Sequence, residues 1–353
     1  MAKVLIVRMS SFGDVAMLVP VVHSVATKYP QDRFYVMTRR AFAPLFESLG
    51  FNVNVLIVDV NGKHKGVLGL FRLASRLLAM GFSHIADVHD VLRSKVIRAF
   101  FTIAGRKVSV IDKGRAEKAH MIATKQLEPP LKTTVERYRE TFDRLGFPAD
   151  LTFNSVLDFM PVSSPGLQSL PLEKKTGRWI GVAPFAKHKG KIWPLEKMEK
   201  VISILSEEPN TTVILFGAGA EEKAILEEWN VKYKNTLNVV GKMNLQQELV
   251  LISHIDVMLT MDSANMHLAS LVRTPVVSIW GATHPSLGFY GFGQDLHNAV
   301  QIDLECRPCS VYGDLPCQRG DYACLIRIDE QTVINKIHQV LASIPKEDNS
   351  NLN

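Results

Sequence analysis

Short apolar runs alternate along the chain with longer segments in which apolar residues recur every three or four positions. In the first half the short runs predict strands at residues 4–8, 34–38, 53–58 and 85–88. The longer segments predict helices at residues 15–28, 42–49 and 68–80. Strands that alternate with helices in this way are typical of an α/β fold with a doubly wound parallel sheet.

The same alternation resumes in the second half. Its apolar runs predict strands at residues 179–183, 213–216, 238–240, 257–259 and 276–280. Helical periodicity predicts helices at residues 195–206, 221–229, 245–253 and 328–344. The chain is therefore expected to hold two parallel sheets of similar design.

A change of composition separates the two halves. Residues 161–171 contain three prolines, one glycine and three serines, which is typical of a linker. At 353 residues the chain is long for one core, because a domain averages roughly 150 residues. We predict an N-terminal domain at residues 1–165, a C-terminal domain at 172–345 and a disordered tail at 346–353. Two such domains leave a cleft between their sheet ends, where substrates are expected to meet.

Composition places the chain among ordinary globular proteins, with 46% hydrophobic and 22% charged residues. The run Lys3–Val7, with four apolar residues, is too short for the hydrophobic region of a signal peptide and ends at Arg8. No stretch approaches the roughly 18 apolar residues of a membrane span. We therefore expect a cytoplasmic protein.

The formal net charge of +6 is unevenly divided along the chain: residues 1–165 carry +9 and residues 166–353 carry −3. The basic half is expected to face an anionic partner, either a phosphorylated acceptor, an anionic membrane surface or nucleic acid. Nucleic acid is the less favoured partner, because the basic residues are scattered and no zinc-finger or RNP-type motif accompanies them. A mildly basic solvated surface with no partner is the remaining interpretation.

Small polar turns follow two of the strands predicted in the second half. Asp262 and Ser263 come at the start of a helix, and His267 lies one turn further on. In a parallel sheet, ligands bind at the carboxyl ends of the strands, where helix N-termini offer N–H groups to phosphate. These residues are therefore candidates for an anion and ribose pocket. Alternatively, they form an ordinary helix N-cap and a buried helix histidine.

The first strand–helix turn supplies the best candidate for a catalytic base. It runs from Arg8 to Asp14, and Gly13 allows a tight turn just before the carboxylate. Asp14 is then either a general base that projects into the cleft or the N-cap of the following helix. The turn lacks the G-x-G-x-x-G pattern, so it gives no support for a dinucleotide site.

Taken together, these motifs resemble glycosyltransferase family 9, the ADP-heptose:lipopolysaccharide heptosyltransferases, over nearly the whole chain. The first turn of that family has the form Ser-Ser-hydrophobic-Gly-Asp, as in residues 10–14 here, and the resemblance makes Asp14 the general base. Lys191, two residues before Trp193-Pro194, resembles the family's lysine at the donor phosphates. The resemblance implies a GT-B fold, in which two Rossmann-like doubly wound domains face a central cleft.

The resemblance also implies two sets of binding residues. Donor-binding residues in the second half follow strands, and they are Glu221, Met243, Asp262, Ser263, His267, Gly281 and Thr283. Acceptor-binding residues in the first half are Arg8, Ser10, Ser11 and Arg93, for which plain surface charge is the alternative. The implied acceptor is a phosphorylated glycolipid.

Transfer of a sugar from a nucleoside diphosphate needs a base for the acceptor hydroxyl and positive charge for the departing diphosphate. Asp14 and Lys191 would fill these two catalytic roles, with attack from the opposite face and inversion of configuration. No D-x-D pair stands at a predicted strand end, so we expect no catalytic metal and no required cofactor.

The four cysteines lie within 19 residues near the C-terminus, at Cys306, Cys309, Cys317 and Cys324. This clustering indicates a structural zinc site, a pair of disulfides or reduced thiols. Stable disulfides are disfavoured in the cytoplasm, which leaves zinc or free thiols. The second pair lacks the C-x₂-C spacing of a standard zinc ribbon.

The sequence thus favours a metal-independent inverting heptosyltransferase that uses an ADP-heptose-like donor and acts on the lipopolysaccharide inner core. We expect a monomer that associates with the inner face of the cytoplasmic membrane without spanning it. Two alternatives stay open: a nucleotide-sugar epimerase of the same fold, and a basic nucleic-acid-binding α/β protein.

Overall fold

The structure, a computed structural model, describes residues 1–159, 175 and 177–344. The chain forms two compact units. The first comprises the described parts of Met1–Ala119, Pro130–Leu167 and Leu287–Phe292, and the second comprises those of His120–Pro129, Gln168–Ser286 and Gly293–Asn353. The predicted linker at 161–171 and the predicted tail at 346–353 lie outside the described residues, so the predicted domain bounds stay a prediction.

The first unit is built on a five-stranded sheet whose strands are all parallel. The strands are β1 Lys3–Val7, β2 Arg33–Thr38, β3 Val53–Ile57, β4 His84–Asp87 and β5 Lys107–Val110. Their order in the sheet is β3-β2-β1-β4-β5. The helices of this part of the chain are α1 Phe12–Ala16, α2 Val19–Lys28, α3 Gly66–Ala79, α4 Leu92–Ile103, α5 Arg115–Thr124 and α6 Thr134–Leu145.

Two helices predicted in this unit differ in the structure, and proline explains both differences. The helix predicted at 15–28 is split into α1 and α2, with Pro20 in the first turn of α2. Proline suits a first turn because its missing N–H has no intrahelical partner there. The helix predicted at 42–49 is a 3₁₀ helix, Arg40–Leu45, which contains Pro44.

The second unit holds a six-stranded parallel sheet in the order β11-β10-β9-β6-β7-β8. Its strands are β6 Arg178–Ala183, β7 Thr211–Leu215, β8 Thr236–Asn238, β9 Val257–Met261, β10 Val276–Ile279 and β11 Ala299–Val300. Its helices are α7 Leu195–Glu207, α8 Gly219–Lys232, α9 Leu245–Ser253, α10 Ala264–Leu271, α11 Ala323–Ile326 and α12 Glu330–Ser343. The predicted doubly wound α/β fold is confirmed.

One strand of this sheet lies earlier than predicted. The apolar run at 238–240 predicts a strand there, but β8 ends at Asn238. The Asn238 side chain accepts a hydrogen bond from the backbone N–H of Val240 at 3.1 Å, which turns the chain out of the sheet.

The central strands are buried on both faces, which explains their continuous apolar runs. All five residues of β9 are buried. Trp193 is fully buried beside this core, and its indole N–H donates to the Leu325 carbonyl at 3.1 Å. The core therefore fixes the chain two residues after Lys191. Within the described parts of the chain, every helix is too short or too polar to cross a membrane.

The N-terminus of α6 offers a test of local stability. The Thr133 hydroxyl accepts from the Glu136 N–H at 3.2 Å, and the Glu136 carboxylate accepts from the Thr133 N–H at 2.7 Å. Thr133→Ala removes one side of this capping box and should lower the free energy of unfolding by about 1 kcal/mol, measured by urea denaturation.

Thr102→Ala is the matched control, because Thr102 is an exposed threonine in the last turn of α4 whose hydroxyl donates to the Arg98 carbonyl. It should change the free energy of unfolding by less than about 0.5 kcal/mol. Equal effects of the two substitutions would contradict the capping role of Thr133.

Candidate functional site

Each sheet has a switch point, where successive connections leave in opposite directions. In the first sheet it lies between β1 and β4, and in the second between β6 and β9. At such a point the loops after the two strands diverge, which leaves room for a ligand at the carboxyl edge. The candidate residues lie on these edges.

In the first unit, the loop after β1 holds an ion pair. The Arg8 guanidinium lies 2.6 Å from Asp14 Oδ2, and the Ser11 hydroxyl donates to the same oxygen at 2.6 Å. The Ser11 N–H also donates to it at 3.2 Å, and the Tyr138 hydroxyl donates to the Asp14 carbonyl. The N-cap of α1 is Ser11, so the alternative that Asp14 is the N-cap is wrong. Asp14 is the third residue of the helix, a partly exposed carboxylate of fixed orientation.

Arg8 also joins the two sides of this switch point. Its guanidinium donates to the Val88 carbonyl, after β4, at 2.7 Å, and the residue is 5% exposed. Ser10 extends the link, because its hydroxyl lies 3.2 Å from His89 Nε2. Burial and the nearby Arg8 and Lys113 lower the pKa of His89 to about 3, so this imidazole is neutral at pH 7. Arg8 and Ser10 therefore belong to one site.

Two lysines near Asp14 are not predicted from the sequence as members of the site. Burial, with Arg8 and Arg115 nearby, lowers the pKa of Lys113. Burial, with the adjacent Arg137, lowers the pKa of Lys118 to about 8, and its ammonium lies 4.0 Å from the centre of the Phe289 ring. Both act on Asp14 electrostatically, which makes the surroundings of the carboxylate strongly cationic.

Arg93 lies apart from this arrangement. It is exposed on the first turn of α4, the helix that follows β4. The turn between β4 and α4 is stabilised by the buried Asp87. Its carboxylate accepts from the backbone N–H groups of His89 and Asp90 and from the Arg98 guanidinium.

In the second unit, an ion pair crosses the switch point directly. Lys191 Nζ, after β6, lies 2.8 Å from Asp262 Oδ2, after β9. The Thr283 hydroxyl, after β10, donates to the same oxygen at 2.8 Å. Three of the predicted residues are thus brought together from three different strand ends.

Ser263 and His267 lie beside this group. Ser263 is the N-cap of α10, but its hydroxyl makes no capping bond and instead lies 3.1 Å from the Thr260 hydroxyl. The first N–H groups of α10 therefore receive no bond from this side chain. His267 is 6% exposed in the same helix. The helix N-terminus next to Lys191 is a favourable place for an anion.

Close backbone contacts fix the turn at Gly281. A methyl group at this position would lie 2.6 Å from the Gly190 carbonyl oxygen, so glycine is required. The next N–H, of Ala282, donates to that carbonyl at 2.8 Å. Gly190 belongs to the 3₁₀ turn that carries Lys191, so the two loops hold each other in position.

Arg307 is a structural residue of this site that sequence reasoning missed. It is 3% exposed, and its guanidinium donates to the carbonyls of Gly281, Trp280 and Thr283. It also donates to the Gln301 side chain at 2.9 Å. The buried Arg307 guanidinium therefore holds the Gly281–Thr283 turn in place through its backbone carbonyls. Its place between Cys306 and Cys309 gives no periodic signal by which to find it.

Two predicted donor residues lie further along the same edge of the sheet. Glu221 is exposed in the first turn of α8, after β7. The neighbouring Glu222, not Glu221, accepts from the Ala218 N–H at the start of that helix, at 2.6 Å. Met243 is half-buried in the turn after β8.

The cysteines are free thiols, with Cys324 buried and the other three half-buried. Cys309 donates to the Cys306 carbonyl, and burial raises the pKa of Cys324 to about 11. Across the described residues, which include all four cysteines, no group of three or more His, Cys, Asp or Glu side chains is arranged to hold a metal ion. A structural zinc at these cysteines stays a prediction.

Comparison with known proteins places the chain in one family. The profile of glycosyltransferase family 9 (heptosyltransferase) matches residues 70–316. Lipopolysaccharide heptosyltransferase 3 of Escherichia coli K12 is 24% identical over 281 residues, which cover 77% of this chain and 80% of that protein.

Two solved structures share the fold. The family 9 glycosyl transferase from Veillonella parvula has a TM-score of 0.73 and 15% identity, covering 97% of this chain and 98% of that one. An Escherichia coli heptosyltransferase with ADP-2-deoxy-2-fluoro heptose has a TM-score of 0.68 and 17% identity, covering 96% and 99%. The predicted GT-B fold is confirmed in its two doubly wound domains, and the chain belongs to glycosyltransferase family 9, a family of heptosyltransferases.

Proposed function

We propose that this glycosyltransferase moves a heptose from an ADP-heptose donor to a phosphorylated glycolipid of the lipopolysaccharide inner core, with inversion and without a metal. The observation that carries the proposal is the pair of polar groups at the two switch points. One presents a fixed carboxylate among cations, and the other presents a lysine beside a helix N-terminus. The names of the similar proteins supply the sugar and the acceptor class.

Asp14 would act as the general base. Its carboxylate takes the proton of the acceptor hydroxyl while that oxygen attacks the anomeric carbon of the donor. The bond from this carbon to the diphosphate oxygen breaks on the opposite face, and the electron pair leaves with ADP. Arg8 and Ser11 hold the carboxylate through Oδ2, which gives it the fixed orientation that proton transfer requires.

Lys191 would stabilise the leaving diphosphate. Its ammonium and the first N–H groups of α10 place positive charge where negative charge develops. Asp262 accepts from both Lys191 and Thr283, so its role would be to position these two groups. Because fixed cationic groups supply this charge, the reaction needs no metal ion.

The acceptor would bind beside Asp14. Arg8, Lys113 and Lys118 surround the carboxylate with positive charge, which suits a phosphorylated sugar. Since such an acceptor is anchored in lipid, we further propose that the protein works on the inner face of the cytoplasmic membrane. We also propose that it acts as a monomer.

The role of Asp14 can be tested by Asp14→Asn, which keeps the size of the side chain and removes its basicity. We expect kcat with an ADP-heptose donor to fall at least about 100-fold, while ADP affinity changes little. Asp143→Asn is the control, because Asp143 is a carboxylate in a surface ion pair with Arg139 on α6. An Asp14→Asn enzyme with undiminished turnover would remove Asp14 from the mechanism.

The donor site can be tested by titrating the protein with ADP, UDP and GDP in a calorimeter. We expect ADP to bind most tightly and its affinity to fall about tenfold or more in Lys191→Ala, because a charge-assisted contact to the diphosphate is lost. Lys189→Ala is the matched control in the same turn, since the Lys189 ammonium lies over the Tyr322 ring.

Preference for UDP, with consumption of a UDP-sugar in the absence of any acceptor, would support the epimerase alternative instead. Salt-dependent binding of an unrelated oligonucleotide with no donor turnover would support the nucleic-acid alternative.

Removal of divalent metal ions tests the source of the positive charge. Transfer in excess EDTA should proceed at the rate seen without chelator, and added Mg²⁺ or Mn²⁺ should not raise it, because Lys191 and α10 supply the charge. Loss of activity that Mg²⁺ restores would show that a metal ion is required.

A further inference from the structure

The solvent face of α3 is apolar at its N-terminal end. Val67, Leu68 and Phe71 are 72%, 75% and 52% exposed. The opposite face of the same helix buries Leu70 and Leu73 in the core of the first unit. A surface helix ordinarily turns one apolar stripe inward and polar residues outward, so the three exposed residues need another explanation.

A neighbouring helix extends this surface. Helices α3 and α4 pack side by side, and the rings of Phe71 and Phe100 meet edge to face with centres 4.5 Å apart. Leu92, the first residue of α4, is 79% exposed. Both helices follow strands of one parallel sheet, so their N-termini lie at its carboxyl edge. This is the edge that carries Arg8 and Asp14.

Basic residues border the apolar ones and acidic residues are missing from both segments. The exposed cations are Lys63, Lys65, Arg72, Arg76, Arg93 and Lys95. The sequence has no acidic residue from 60 to 86 or from 91 to 111. We call the surface made of Val67, Leu68, Phe71, Leu92 and these six cations the α3–α4 face. Its charge selects an anionic partner.

Hydrogen bonds order the backbone of the turn before α3, which carries two lysines. The Asp59 carboxylate accepts from the N–H groups of Asn61 and Gly62, at 3.2 and 2.8 Å, and of Lys63, at 3.2 Å. The buried His64 accepts from the Asp59 N–H at 3.1 Å. Lys63 and Lys65 therefore point outward from an ordered turn.

We propose that the α3–α4 face docks the protein on an anionic phospholipid surface. The apolar side chains enter the boundary between headgroups and acyl chains, and the flanking cations pair with lipid phosphates. This inference rests on the proposed function, because it names the surface by which the enzyme reaches a lipid-anchored acceptor. A second copy of the chain fits poorly, since a two-fold contact would bring the same cations together.

The test is cosedimentation of the full-length protein with vesicles. The wild type should bind vesicles of phosphatidylcholine and phosphatidylglycerol in equal amounts, and bind pure phosphatidylcholine vesicles at least about tenfold more weakly. The double variant Leu68→Ser, Phe71→Ser should lose about tenfold or more in partition to the mixed vesicles. Arg72→Gln with Arg76→Gln should weaken binding and reduce its dependence on salt.

Val231→Ser is the matched control, because Val231 is 81% exposed on α8, a helix of the second unit that contributes nothing to the face. It should bind vesicles as the wild type does, and thermal melting should show that all variants are folded. Unchanged binding of the Leu68→Ser, Phe71→Ser variant would overturn the proposal. So would equal binding to neutral vesicles, or a dimer of the wild type that this variant dissociates.

Assay of the variants with a water-soluble acceptor fragment separates this inference from the proposed function. The variants of the α3–α4 face should keep the wild-type kcat on that fragment. Vesicle binding that behaves as expected in a protein without transferase activity would leave the docking surface standing and refute the proposed function. Transfer activity without vesicle binding would refute the docking surface and leave the proposed function standing.

Discussion

A cation that joins two diverging loops is the interaction on which both sites depend. At the first switch point Arg8 connects the loop after β1 to the Val88 carbonyl after β4. At the second, Lys191 after β6 pairs with Asp262 after β9. Parallel strands present their loops at one edge, but the switch point separates them, so a long cationic side chain is needed to bridge the gap.

A buried cation lowers the stability of the fold unless it is paired, which explains the many acceptors around Arg8 and Arg307. Arg8 has Asp14 and a carbonyl, and Arg307 donates to several carbonyls around the Gly281–Thr283 turn. Loss of one partner from a buried pair costs about 3–5 kcal/mol, whereas apolar residues could fill the same space at no loss of stability. Retaining charge at Arg8 is therefore explained by binding or catalysis rather than by folding, whereas Arg307 holds a turn of the backbone.

The sequence predicts the doubly wound fold and the strand ends because apolar runs, turns and polar residues are local signals. These local signals, together with the family resemblance, identify Lys191, Asp262 and Thr283, since each follows a strand or its turn. Arg307 and Lys118 are not, because their roles come from contacts far along the chain. Arg307 meets a turn 26 positions earlier, and Lys118 is buried against Phe289. Burial of a basic side chain leaves no periodic trace in sequence.

The ion pair of Lys191 and Asp262 at the second switch point also bears on which ligand the proposed site would bind. In the proposed reaction the donor must draw Lys191 from Asp262, which already accepts from it at 2.8 Å. A single weak anion gains little from that exchange, because one charge-assisted bond replaces another. A diphosphate offers several oxygens that can reach the lysine and the first N–H groups of α10 together, so it gains contacts that Asp262 alone does not make. In the proposed reaction Asp262 would thereby favour a diphosphate over a simple anion while keeping the lysine in position.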